Sequence, residues 1–370
     1  MQSVFTNALS SLLSQHAGLS ASRRETLAWL VLVMLRQGSV CLWRLAAHVS
    51  TAAELASVQR RFYRFFQYVT LDGAIAARIV VALLGLEGKP WVLAMDRTNW
   101  DFGRATINFL MISVEWNGIG IPLVWTLLPK TGNSSTGERV ALFDRLAQTF
   151  PDMEIATLTG DREFIGDAWM RTLAERKIHF VLRLRENQYV QRAGYAEMTI
   201  AAIARRLAIG ETIILKDLCQ LGRGADAACL RIVILKLSAD ELLALATPAE
   251  PRKALARYKA RWRIETLFAN LKSKGFNLEA THLVSLDKLS TLRALLALAV
   301  ALAAKSGGAA HARKPIPIKK HGRRAQSLFG LGRAILCKTL ASANLPETAG
   351  FLRRLLATSA TAAPIKSGQV

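Results

Sequence analysis

Apolar residues recur at helical spacing through Leu27, Val31, Met34 and Leu35, and a second pattern runs from Leu42 to His48. The chain up to about residue 85 is therefore predicted to be helical, with Gly38 and Ser39 interrupting it. Within this stretch, Arg60-Arg61-Phe62-Tyr63-Arg64-Phe65-Phe66 interleaves basic and aromatic residues. Two readings fit it: a helix that grips phosphates while its aromatics pack or stack, or an amphipathic helix with aromatics in the core and arginines in water.

The texture changes at Lys89-Pro90. Trp91 to Asp96 reads as a buried strand ending in a carboxylate. Ile107–Trp116 and Ile121–Leu128 are β-rich runs separated by Asn117-Gly118-Ile119-Gly120, a hairpin signal. After a polar loop at Asn133–Gly137, Glu138–Phe150 reads as an amphipathic helix. Ile155–Asp161 follows as a strand with an acid at its end, then Asp167–Arg176 as a helix and Ile178–Leu184 as a fifth strand. Three strands, helix, strand, helix, strand predicts a mixed sheet with helices on its faces. A polar insertion follows, in which Thr212–Leu215 and Leu230–Leu237 look like strands. A helix resumes near Ala254 and another covers Leu286–Lys305, while Ser306–Gln326, rich in Gly, Pro, Lys and Arg, reads as a loop or tether. Leu292–Leu302 is apolar enough for either core or interface. A short helical tail ends near Arg354.

Lys and Arg outnumber Asp and Glu by 49 to 27, a formal charge of +22 that favours a polyanionic partner, above all nucleic acid. With 51% hydrophobic residues the chain is globular rather than disordered. Cys41, Cys219, Cys229 and Cys337 form no CxxC pair, so neither a zinc site nor a disulfide framework is indicated, and a reducing cytoplasm fits. The apolar runs Leu27–Leu35 and Leu295–Ala304 are too short to span a bilayer, and no signal peptide or membrane segment is predicted.

Chemistry concentrates on three acids. Asp96 and Asp161 end apolar strands, and Glu265 lies in a run where Tyr258, Arg261, Glu265 and Lys272 share one face of a helix. Singly, each has a structural reading: a capped turn, or an i,i+4 ion pair between Arg261 and Glu265. Together they suit phosphoryl transfer. Two divalent cations generate the nucleophile and stabilise the leaving oxygen, and magnesium prefers hard oxygen ligands. None of the six histidines forms a cluster.

Asp96 in LAMDRTNW, Asp161 in TLTGDREF and Glu265 in YKARWRIETLFANLK resemble the catalytic triad of the DDE transposases. The spacing Tyr-x2-Arg-x3-Glu-x6-Lys is similar to the signature of the bacterial insertion-sequence group numbered four, of Tn-five type. The resemblance covers about residues 91 to 330 and implies an α+β (mixed α/β) fold. A ribonuclease-H-like catalytic core would carry a β-rich insertion and follow an all-helical N-terminal domain. The expected segments are a helical DNA-binding domain at 1–88, the first part of the core at 89–184, the insertion at 185–252, the second part of the core with the Glu helix at 253–305, and a basic C-terminal extension at 306–370.

The resemblance further implies that Asp96, Asp161 and Glu265 hold two Mg2+ ions, with Mn2+ as a substitute. Tyr258, Arg261 and Lys272 would grip the terminal phosphate of the strand that is not transferred. Trp262 and Arg263 match neighbouring positions and are carried as DNA contacts, with a core role the competing reading for Trp262. Cut-and-paste movement through a hairpin intermediate is implied, with double-stranded terminal inverted repeats and target DNA as partners, a homodimer in the DNA complex, no membrane, and a cytoplasmic, nucleoid-associated location. The family's base-stacking tryptophan has no counterpart between Trp169 and Trp262, where Tyr189 or Tyr195 could substitute and nothing in the sequence selects either. Lys314–Arg324 reads as a DNA-tracking run or a solvated tether. The alternatives are a nuclease or resolvase that cuts without joining, and a non-catalytic repressor.

Overall fold

Alternation and apolar runs place five strands in one layer, and the computed structural model shows how they pair. It describes residues 2–357 apart from 17, 103–104, 222–227, 273, 321 and 343–344. Five helices come first: α1 (Gln2–His16), α2 (Ala21–Gln37), α3 (Leu42–Ala46), α4 (Leu55–Tyr68) and α5 (Gly73–Leu84). Ser20 caps α2 by accepting from the Arg23 N–H, and Gly38 closes it at φ 61°. Every residue of α2 from Thr26 to Leu35 is buried, so this helix is a core rod rather than an amphipathic cover.

The strands β1 (Trp91–Phe102), β2 (Ala105–Trp116), β3 (Ile119–Leu128), β4 (Ile155–Gly160) and β5 (Phe180–Arg183) follow, with α6 (Thr136–Thr149) between β3 and β4 and α7 (Asp167–Glu175) between β4 and β5. Their spatial order is β3-β2-β1-β4-β5, antiparallel across the first three and parallel from β1 to β4 to β5. This is the ribonuclease-H-like core that the resemblance implies. The β2–β3 turn is Asn117-Gly118, both at positive φ (51° and 83°), the two-residue loop whose twist matches the strands.

The insertion contains β6 (Tyr189–Arg192), β7 (Met198–Thr199), α8 (Ile200–Ala204), β8 (Thr212–Ile214), β9 (Cys219–Leu221), β10 (Ala228–Lys236) and β11 (Leu242–Thr247). Its last strand, β11, pairs antiparallel with β5, so insertion and core form a single continuous sheet. The chain then enters α9 (Ala254–Tyr258), a 3-10 turn at Lys259–Arg261, and α10 (Trp262–Leu271).

Behind the sheet lies α11 (Leu286–Arg313), with α12 (Leu328–Ala341) and α13 (Leu345–Leu356) after it. The helix α11 runs eight residues beyond the expected end at Lys305, taking in Ser306-Gly307-Gly308. These glycines do not break it; they admit its neighbour. A Cβ on Gly307 would collide with the Leu328 carbonyl of α12, and one on Gly332 with the Ala303 carbonyl of α11. Among the described residues, α11 is the one single helix long and apolar enough to cross a membrane, yet 89% of its most apolar window is buried inside the protein. Leu292–Leu302 is thus core within one chain. Arg293 on α11 is also buried. Its guanidinium lies 4.8 Å, 3.9 Å and 5.9 Å from the ring centroids of Trp100, Phe109 and Trp125, and burial pushes its pKa well down.

Candidate active site

The parallel β1–β4 ladder ends at the pair Met95–Gly160, and the next residue on each strand is an aspartate. Parallel register therefore brings Asp96 and Asp161 side by side at one edge of the core. Asp96 is not a strand terminus, as the sequence suggested. β1 continues to Phe102 because β2 still pairs with it, Asp96 lying opposite Met111. Gly160 keeps this corner tight, since a Cβ there would sit 2.9 Å from Leu182 Cδ2 and 3.0 Å from Phe164 Cβ.

The third acid arrives from the opposite direction. Gly120 on β3 lets α10 settle onto the sheet: a Cβ at that position would lie 2.7 Å from the Arg263 carbonyl oxygen. Tyr258, Arg261, Glu265 and Lys272 do not share one continuous helical face, because the 3-10 turn at 259–261 separates α9 from α10. The turn tucks Tyr258 and Arg261 inward, where both are buried. Arg261 Nη2 reaches Glu265 Oε1 at 2.6 Å and its Nη1 lies 3.7 Å from Asp96 Oδ2, while the Tyr258 hydroxyl donates to Asp161 Oδ1 at 3.3 Å. All three acids thus meet one buried Tyr–Arg pair.

The electrostatics of the group follow from this proximity. Burial raises the Asp96 pKa to about 7; the Arg97 N–H bond and Arg261 oppose this, while Asp161 and Glu265 push it further up. Burial also lifts the Tyr258 phenol well above its ordinary range. Burial works against the Arg261 charge, but Tyr258, Asp161 and Glu265 outweigh it and the pKa is raised. Among the described residues, no three His, Cys, Asp or Glu side chains are placed to share a metal ion in this arrangement, and a guanidinium bridges Asp96 and Glu265 instead.

Lys272 stands apart from this group. Its Nζ donates to the Asn99 carbonyl at 2.9 Å and lies 5.8 Å from the Trp100 ring centroid, three to four residues along β1 from Asp96. Trp262 is 55% exposed at the start of α10, which removes the core reading for it. Arg263 lies over the β2–β3 turn near Gly118, as does Arg324, which donates to the Asn117 carbonyl at 3.5 Å. The basic run around 314–324 therefore folds back beside α10, held by an Ile318–Arg324 bridge.

Sequence reasoning missed the residues that clamp the two strand ends. Arg97 and Glu163, each adjacent or near to an aspartate, pair through Arg97 Nε at 2.8 and 2.9 Å, and Arg97 Nη1 reaches Asn108 Oδ1 at 2.7 Å. Arg139 on α6 donates to the Ser134 and Glu163 carbonyls at 2.6 and 2.9 Å, fixing the 161–164 turn. The repeated Asp-Arg pairs at 96–97 and 161–162 were the available signal. Glu163→Ala is expected to cost about 3 kcal/mol, because it leaves a largely buried guanidinium with amide acceptors but no counter-charge. Urea denaturation measures this, and a loss below about 0.5 kcal/mol would show that the pair is not a clamp. Arg183 was also missed. Its Nη1 lies 4.0 Å from Asp161 Oδ1 and its Nη2 is 3.0 Å from Glu241 Oε1.

Far from this site, the 60–66 segment is an amphipathic helix with its phenylalanines in the core. Phe62, Phe65 and Phe66 are buried, while Arg60 and Arg64 join Arg23, Arg61 and Tyr68 in lining a cleft of ≈ 630 Å³ between α2 and α4.

A family model described as Transposase DDE domain matches residues 87–302, more than half of the chain and the whole sheet with its insertion. The chain belongs to this family of DDE transposases. Its class of activity is that of a nucleic-acid-cleaving transposase, with DNA as the partner. A search among curated proteins found no match.

Proposed function

We propose that the protein is a cut-and-paste transposase of the insertion-sequence group numbered four, working through Asp96, Asp161 and Glu265. The observation that carries this is the register: two aspartates follow the last pair of a parallel ladder, and Glu265 faces them through Arg261. DDE transposases use divalent metals. The donor set fits hard cations, since all three side chains offer carboxylate oxygens around one buried Tyr–Arg pair. Asp96, Asp161 and Glu265 would hold Mg2+, or Mn2+ in its place, and the ions when bound would supply the activated nucleophile and stabilise the leaving oxygen.

The chain's own residues then position DNA. Arg261 offers a fork matched to phosphate, Lys272 a point charge further along β1, and Tyr258 a hydroxyl held protonated by burial. The exposed Trp262 presents an aromatic face beside them, and Arg263 with Arg324 continues a basic track across the β2–β3 turn. The α2–α4 cleft supplies a second phosphate-binding surface, consistent with a DNA-binding role for the N-terminal helices. In this reading two subunits bring terminal inverted repeats together on cytoplasmic, nucleoid DNA, pass through a hairpin, and join the ends to a target.

A strand-transfer assay tests the proposal. Full-length protein, a pre-cut terminal repeat and supercoiled target DNA with Mg2+ should yield joined products. Nicking without joining would identify a nuclease, and binding without either would identify a repressor.

A further inference from the structure

We infer that Arg261 is a resident counter-ion of the acidic site: it holds Asp96 and Glu265 in place when no metal is bound, and divalent cations must compete with it for those carboxylates. The inference rests on the active-site reading above and adds a role that precedes contact with DNA.

Three observations carry it. The Arg261 side chain is only 6% exposed, yet it is bonded to Glu265 at 2.6 Å and stands 3.7 Å from Asp96, so it occupies the space between two of the three acids. That contact is a cation's: the guanidinium spends its positive charge on carboxylate oxygens, the same atoms a divalent ion would need. Its Nε has no hydrogen-bond acceptor, so the fork is incompletely satisfied where it lies.

The charge balance points the same way. Asp96, Asp161 and Glu265 carry at most three negative charges, and Arg261 already offsets one. Two divalent ions would bring four positive charges into the same space. Ions and guanidinium together would leave an excess of positive charge beside the largely buried Asp96 and Arg261, which is unfavourable where solvent screening is weakest. The nearby Arg183 adds to this excess only in part, because it is shared with Glu241. Metal binding therefore requires Arg261 to give up Asp96 and Glu265, and the phosphate of a DNA strand end is a suitable new partner for the freed fork.

The test is a Mn2+ titration of the full-length chain without DNA, reading free Mn2+ by electron paramagnetic resonance, alongside thermal melting in EDTA. Arg261→Gln should bind Mn2+ at least about tenfold more tightly than the wild type, because the competing charge is gone. In EDTA it should melt below the wild type, and Mn2+ should raise its Tm by more. Arg261→Lys, a point charge that cannot bridge both acids, should fall between the two in affinity; if the Gln variant does not fold, Lys tighter than Arg decides the matter. Binding by either variant no tighter than wild type overturns the inference. If that happens while Asp96→Asn still abolishes wild-type Mn2+ binding, only the counter-ion role fails. If no variant and no wild-type protein binds Mn2+, the active-site reading fails with it.

Discussion

Asp96→Asn should be more stable than the wild-type chain at pH 8 in metal-free buffer, by roughly 4 kcal/mol. The folded pKa of Asp96, about 7, lies above its ordinary value of 3.8, chiefly because burial disfavours the anion. A group raised in this way contributes stability that is fully present below pH 3.8 and is lost as pH rises through 7. At pH 8 the wild type carries the whole cost of a buried carboxylate, which the neutral amide avoids. Asn retains the Oδ1 that accepts the Arg97 N–H at 2.8 Å, so the local backbone is undisturbed. Chemical denaturation from pH 4 to pH 8 checks this. The two proteins should converge at the acid end and separate as pH rises, and a variant no more stable than wild type at pH 8 would refute the electrostatic account. The same variant should not transpose, so the gain in stability and the loss of function have one cause.

Glu265→Gln should do the reverse: reduce DNA cleavage by on the order of 10³ while leaving folding nearly untouched. Glu265 is more than one-third exposed, and its main partner is Arg261 in an i,i+4 pair. Such pairs contribute little, and a glutamine oxygen still accepts from the guanidinium, so unfolding should shift by less than about 1 kcal/mol. Cleavage of a terminal-repeat duplex, measured beside thermal melting, separates the two quantities. Wild-type cleavage in this variant would remove Glu265 from the chemistry, and a collapse in stability would make it a structural residue.

Comparison of these two acids shows what the sequence can and cannot convey. Apolar runs located β1, β4 and β5 and their alternation with helices indicated a mixed sheet, so the acids at the ends of two strands were legible, whereas the β1–β4 pairing that sets them side by side was not. The Tyr-Arg-Glu-Lys spacing was legible too, but not its geometry. A uniform helix would have put all four side chains on one face, whereas the 3-10 turn buries Tyr258 and Arg261 and leaves Lys272 near Asn99. Burial of an arginine depends on tertiary neighbours that no local pattern encodes. Two further misreadings have the same origin. Gly307 and Gly308 signal a loop by composition, yet Gly307 serves a close helix crossing and Gly308 makes room for the Trp116 ring of β2. Leu242–Thr247, six residues after a polar turn, gave no strand signal because β11 depends on β5 for its pairing.

That pairing has a consequence for how such enzymes diversify. Leu245 of β11 lies opposite Arg183 of β5, and Arg183 divides its charge between Asp161 in the core and Glu241 at the foot of the insertion. Replacing residues 185–252 with the corresponding segment of another transposase would therefore exchange more than a surface module. The graft would alter the seam beside an acid of the site, and only donors that restore a carboxylate at the position of Glu241 would leave the host's reactive centre electrically unchanged.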